Sequence, residues 1–204
     1  MPNKDKPATI NQILRNVKQR SSSIDPKDFE EIKLIARRFA KVKNYVYSRF
    51  AGINSFLMLK NYRKLIRDVW VQTKFADQWK LPARYWKLAL DDAISNIKSN
   101  WSNLKNTIKK ALRNNPNVTE DEIHYIYYIL KADELLYAVL MRNTFCKPPK
   151  IKKLEIREDY VHQLIRRYIR KYKGSTPYSH KETNLMIDAP MYKYIYEAES
   201  LFMK

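Results

Sequence analysis

The residues with the clearest capacity for chemistry in this sequence are cations set at helical spacing. Arg38, Lys41 and Arg49 lie 3 and 8 residues apart, which places them on one helix face. His162, Arg166, Arg170 and Lys173 repeat that arrangement later in the chain, with Arg167 and Lys171 beside them. From Lys147 to Lys173 there are 10 basic and 3 acidic residues, so the second array carries a strong local excess of positive charge. Arg and Lys at one-turn spacing match phosphates along a nucleic-acid backbone. Tyrosines are interleaved with both arrays (Tyr45, Tyr47, Tyr160, Tyr168, Tyr172) and suit stacking on unpaired bases. A third face combines Asn96, Asn100 and Asn103 with Lys98 and Lys105, and its amides can meet sugar and phosphate oxygens without reading sequence. The candidate nucleic-acid-binding set is therefore Arg38, Lys41, Tyr45, Arg49, Asn100, Lys105, Arg166, Arg167, Arg170, Lys171 and Lys173. A solubilising surface competes for any single cation, and the two arrays together favour nucleic acid.

No comparable set converges for catalysis. His124, His162 and His180 have no second His or Cys at metal-ligand spacing, and Cys146 has no motif around it. Asp91 and Asp92 are adjacent, hence about 100° apart on a helix, and read as a solvated face paired to Lys87 or Lys98. Asp133 and Glu134 read as structural partners. Asp188 follows the apolar run Leu185-Met186-Ile187, as the first carboxylate of a two-metal nuclease does. Only Glu197 and Glu199 follow it, and Pro190 stands where a small turn residue is wanted. No catalytic residue, metal or cofactor is expected.

The elements that position these residues read as helices. Asp25-Pro26 is a start signal, with Asp28, Glu30 and Glu31 at the positive end of the dipole. Ile32, Ile35, Phe39, Val42, Val46 and Phe50 continue it as an amphipathic helix ending near Gly52. AGINSFLML is apolar without period and reads as a buried connection. A second helix is expected from about Tyr62 to Phe75, with Leu65, Ile66, Val69 and Trp70 inward. Trp86, Leu90, Ala93, Ile97, Trp101, Leu104, Ile108 and Leu112 follow at spacings of 4, 3, 4, 4, 3, 4 and 4, the pattern of one long helix that stops at Asn114-Asn115-Pro116. Thr119 and Glu122 form a capping box opening a helix to about Arg142, apolar on nearly every face and expected to be the central one. Cys146-Lys147-Pro148-Pro149 marks a boundary. Beyond it, KIKKLEI is a candidate strand, Glu158 to Lys173 a helix, and TPYSHKETNLMIDAPMYKYIY one or two short strands.

Composition limits the alternatives. The chain has 204 residues, 40 Lys plus Arg against 21 Asp plus Glu, and a formal charge of +19, so a polyanionic partner would relieve its self-repulsion. Two glycines make a Gly-rich phosphate loop or a turn-dense β-barrel unlikely, and one cysteine excludes an internal disulfide framework. The longest apolar runs, 56–59 and 135–141, are too short to span a bilayer, and MPNKDKPATINQ lacks a secretory apolar region. A cytoplasmic, nucleoid-associated protein without a membrane partner is expected.

LPARYWKLALDDAISNIKSNW, residues 81 to 101, resembles the recognition-lobe helix of the TnpB family, transposon-encoded RNA-guided nucleases related to type V CRISPR effectors. Leu81-Pro82, Ala89-Leu90-Asp91 and Trp101 stand where that family carries its Leu-Pro start, Ala-Leu-acidic core and later aromatic. FAKVKNYVYSRF resembles the family's earlier helix, and NLMIDAPMYKYI a strand of the wedge-type region before its nuclease domain. The resemblance covers roughly residues 26 to 200. The family's three-carboxylate RuvC-like site and its CxxC zinc pairs do not occur in this sequence. The resemblance is thus to the N-terminal half, as a truncated relative, a fragment or one subunit of a split effector. It implies guide-like RNA and DNA as partners, recognised through backbone and shape, with a separate RuvC-like nuclease chain as a further candidate. It does not imply cleavage by this chain.

The expected fold is mainly α, a helical bundle with a small β-containing C-terminal portion. Its expected parts are a polar arm over 1–25, a recognition-lobe-like helical domain over 26–146, and a wedge-like region over 147–204 with a basic helix and short strands. Rival readings are a guide-independent helical DNA-binding regulator, which lacks a clean helix-turn-helix, and an assembly subunit for a separate nuclease chain. A stand-alone metal nuclease would depend on Asp188, and a membrane-surface protein would need exposed apolar residues beside the basic faces.

Overall fold

The computed structural model describes residues 25–180. Over these residues the chain is mainly helical, and no strand occurs among them. Helix α1 (Pro26–Phe50) begins as its sequence requires: the Asp25 carboxylate accepts from the Lys27 N–H at 2.8 Å, and Pro26 occupies the first turn. It buries Phe39, Val42, Val46 and Tyr47, while Ile32, expected inward, is exposed together with Phe29 and Leu34.

A 3-10 helix (Ile53–Leu59) follows, burying Phe56 and Leu59. The helix expected next is shorter and irregular. A π-helical turn (Arg63–Asp68) runs into the one-turn α2 (Val69–Gln72). Ile66 and Trp70 are buried there, but Leu65 and Val69 are 44% and 43% exposed. The physical reason is angular. Leu65 and Val69 each precede a buried residue by one position, so they point about 100° away from a seam narrow enough for one pair only. A second 3-10 helix (Phe75–Trp79) lies between Lys74 and Lys80, both in the left-handed region at φ 56° and 49°.

Helix α3 (Ala83–Arg113) is the scaffold. Ten of its residues are buried, from Trp86 through Leu112 along the expected stripe. α1, α4, α7 and the 75–79 turn all pack on it, so α3 is central rather than the segment opened by Thr119. That later segment is two helices, α4 (Glu120–Lys131) and α5 (Asp133–Met141), separated by Ala132 in an extended conformation at φ −104°, ψ 122°. No Pro or Gly announces the break. It turns α5 onto the 53–59 helix and α7, and Asp133 at its start pairs with Lys105 of α3.

KIKKLEI is not a strand. Pro149 opens the single-turn helix α6 (Pro149–Lys152), which buries Ile151. Proline's fixed φ, already suited to a first helical turn, outweighs the alternation that suggested β. Helix α7 (Glu158–Tyr172) buries Val161, Leu164, Ile165 and Ile169 against α3, α4 and α5. Residues 175–180 are not strand either. The strand expectation for 181–196, Asp188 and the 1–24 arm lie outside the described residues. Buried apolar residues from α1 to α7 form one contiguous cluster. No described helix is long and apolar enough to cross a membrane.

Candidate nucleic-acid interface

The C-terminal end of α5 and the exposed face of α7 bound a cleft of about 880 Å³. α5 closes with Arg142 in the left-handed region at φ 60°, and the Asn143 N–H donates to the Ala138 carbonyl at 2.8 Å. Glycine is the usual residue at such a position, and a side chain there costs about 1 kcal/mol.

The cleft carries five cations, Arg142, Lys147, Arg166, Arg167 and Arg170, and two carboxylates, Glu158 and Asp159. Glu158 is largely committed. It pairs with Lys147, which holds its carboxyl below the usual carboxylate range, and it accepts from the Tyr125 hydroxyl at 3.2 Å. The His162 Nε2 lies 3.0 Å from that hydroxyl. Ionised Glu158 has no proton to give, so Tyr125 donates to it and the His162 Nε2–H donates to the phenol oxygen. Burial pushes the His162 pKa below its ordinary value, while the Glu158 charge opposes that shift.

Arg166 is half-buried, and its Nη1 donates to the Val139 carbonyl at 3.0 Å, near the negative end of α5. Burial, then the charges of Arg142 and Arg170, push its pKa down. Arg166 is thus a partly desolvated cation under the like charge of two exposed ones, an arrangement that an anion relieves.

A separate feature aligns the cleft. The Glu122 side chain is 1% exposed and accepts from the Arg157 Nε at 2.8 Å and Nη2 at 2.9 Å, while the Thr119 N–H completes the capping box at 3.1 Å. This joins the start of α4 to the residue before α7.

The sequence-derived candidates separate into groups. Arg166, Arg167 and Arg170 meet in the cleft. Arg38 and Lys41 instead line a groove beside α1, where the Arg38 Nη1 donates to the Lys80 carbonyl at 2.7 Å. Arg49 is exposed and lines neither. Tyr45 is no free platform: Trp70, Phe75 and Trp79 surround its ring at centroid distances of 5.8, 5.5 and 5.3 Å. Tyr47 is buried and accepts from Asn96 at 2.9 Å. Asn100 and Lys173 come together at a small cavity of about 60 Å³, with the Lys173 ammonium 5.6 Å from the Trp101 ring. Lys105 is engaged by Asp133. Lys171 lies exposed over the Tyr172 ring at 5.2 Å. Asp92 pairs with Lys43 at 2.5 Å and Asp91 accepts from Tyr62 at 2.8 Å, so neither has the Lys87 or Lys98 partner expected of it.

Sequence reasoning missed Arg142 and Lys147, which complete the cleft from loop positions. Helical spacing says nothing about residues beyond a helix end, and only Lys147's place beside Pro148-Pro149 hinted at a fixed loop. Among the described residues no group of three or more His, Cys, Asp and Glu could hold a metal ion. Comparison of the chain with family models, with curated proteins and with solved structures found no match.

Proposed function

We propose that this chain binds nucleic acid, gripping the phosphate backbone in the α5–α7 cleft. The observation that carries the reading is the convergence of Arg142, Arg166, Arg167 and Arg170 on one cleft, with Arg166 half-buried against the Val139 carbonyl. Backbone phosphate is a matching anion because it recurs along a strand as the cations recur along α7. Arg166 and Arg170 lie one turn apart on that helix and Arg167 stands beside them. The net charge of +19 makes the same partner favourable at long range.

The narrower form is the one the TnpB resemblance implies: a recognition-lobe-like chain holding a guide-like RNA and a guide–target heteroduplex, without cleaving by itself. Two measurements test the reading. Affinity for a 20-nucleotide single-stranded RNA should fall steeply with salt, and replacing Arg167 and Arg170 by Gln should flatten the log–log slope by about 1.4 units. These two are exposed, so the change leaves the core intact. An unchanged slope rejects the cleft. Sequencing RNA that co-purifies from the native host tests the narrower form: one discrete protected species supports a guide, and salt-removable random RNA rejects it.

A further inference from the structure

A second basic groove, of about 850 Å³, lies between α1, the 75–80 turn and residues 178–179. Arg37, Arg38, Lys41 and Lys80 line it, and no carboxylate does. Arg38 is used structurally, on the Lys80 carbonyl. Among the described residues the side chains of Lys41 and Lys80 make no ion pair or hydrogen bond. The far wall is built rather than incidental. Asn44 holds residue 179 from both sides, donating to the Ser179 carbonyl at 2.8 Å and accepting from the Ser179 N–H at 2.7 Å. The floor is rigid as well, because the Trp79 ring is wedged among Tyr45, Trp70 and Phe75.

Two polar groups in these walls have no partner: the Trp79 Nε1–H and the hydroxyl of Ser179, a residue only 6% exposed. Leaving such a group unpaired is costly, and no other buried side-chain nitrogen or oxygen among the described residues is left so. Both atoms are buried beneath the wall rather than open to the groove, so its capacity for a phosphate rests on Lys41 and Lys80, with no carboxylate beside them. Tyr178 also lines the groove and is 65% exposed, with its ring edge-on to His180. An exposed ring beside a phosphate site is the combination that holds unpaired nucleotides, since a base inside a duplex has no free face to offer.

We propose that this groove is a second subsite, specific for single-stranded nucleic acid, in which Lys41 and Lys80 bind a phosphate and Tyr178 stacks on the adjoining base. This rests on the nucleic-acid reading and extends it to a site that shares no lining residue with the α5–α7 cleft.

The test compares a 20-nucleotide single-stranded RNA with a 20-base-pair RNA duplex by fluorescence anisotropy, on the full chain. Tyr178→Ala should weaken single-strand binding about tenfold and leave duplex binding unchanged. Lys41→Gln with Lys80→Asn should lower the single-strand salt slope by about 1.4 units, and Asn tolerates the left-handed backbone at position 80. In 15N spectra, the Trp79 indole resonance, assigned with Trp79→Phe, should shift on adding the single strand. Unchanged affinity in the groove variants while Arg167→Gln/Arg170→Gln weakens binding overturns the groove and keeps the cleft. Equal loss for single strand and duplex in Tyr178→Ala overturns the stacking role. No effect from either set overturns both readings.

Discussion

The α5–α7 cleft and the α1 groove are both basic, but they hold their charge differently. In the cleft, Lys147 is paired with Glu158 and Arg166 is bonded to the Val139 carbonyl, so fewer charges are available than the count of five cations suggests. What distinguishes the cleft is a half-buried arginine, Arg166, under the like charge of the exposed Arg142 and Arg170. The groove has fewer cations and no carboxylate, and its distinctive feature is the exposed Tyr178 ring in the same lining as Lys41 and Lys80. The comparison teaches that a count of lysines and arginines locates neither site. One is marked by a half-buried arginine among exposed ones and the other by lysines beside an exposed ring, and both follow from which groups the fold brings together.

The largest expected effect breaks the comparison by loosening one region only. Glu122→Ala removes the carboxylate that joins the start of α4 to Arg157, and the backbone N–H groups of Thr119 and Arg157 and the Arg157 guanidinium lose their acceptor. Stability should fall by about 2 kcal/mol in urea denaturation. RNA binding through the cleft should weaken, while the Trp79 indole response of the groove persists.

A smaller effect has opposite signs in two measurements. Arg142→Gly relieves the left-handed strain and should raise stability by about 1 kcal/mol. The same change removes a cleft cation, so the salt slope for RNA should fall by about 0.7 units. A stabilised variant with full RNA affinity would show that Arg142 serves no ligand.

The smallest effect concerns pH. Burial lowers the His162 pKa below its ordinary 6.5, against the charge of Glu158. As pH falls, the unfolded chain takes up this proton before the folded chain does. The His162 contribution is therefore present above pH 6.5 and declines below it. Thermal melts from pH 7 to 5.5 should show a shallower loss in His162→Gln than in the parent. Glu158 stays ionised in that window, since Lys147 lowers its pKa from 4.5.

Much of the frame was legible before the structure. The α1 start, the α3 stripe and its end, the capping box and the basic face of α7 all follow from local rules acting within one or two turns. The site was legible in part. Arg166, Arg167 and Arg170 share a helix face by spacing alone, and they do line one cleft. Tyr45 was misread because an aromatic between cations looks the same in sequence whether it faces a base or, as here, Trp70, Phe75 and Trp79. The strand expected at KIKKLEI failed because a four-residue turn begun by proline can carry the same apolar positions as a short strand.

By itself the sequence determined the helical class, the long α3, the caps and the excess of positive charge, because each depends on neighbours a few residues apart. Only the tertiary structure decided that α4 and α5 part at Ala132, that Arg142 and Lys147 join the α7 arginines, and that Asn44 and Ser179 meet across 135 residues. Those outcomes turn on which surfaces pack together, and packing joins residues that no local period relates.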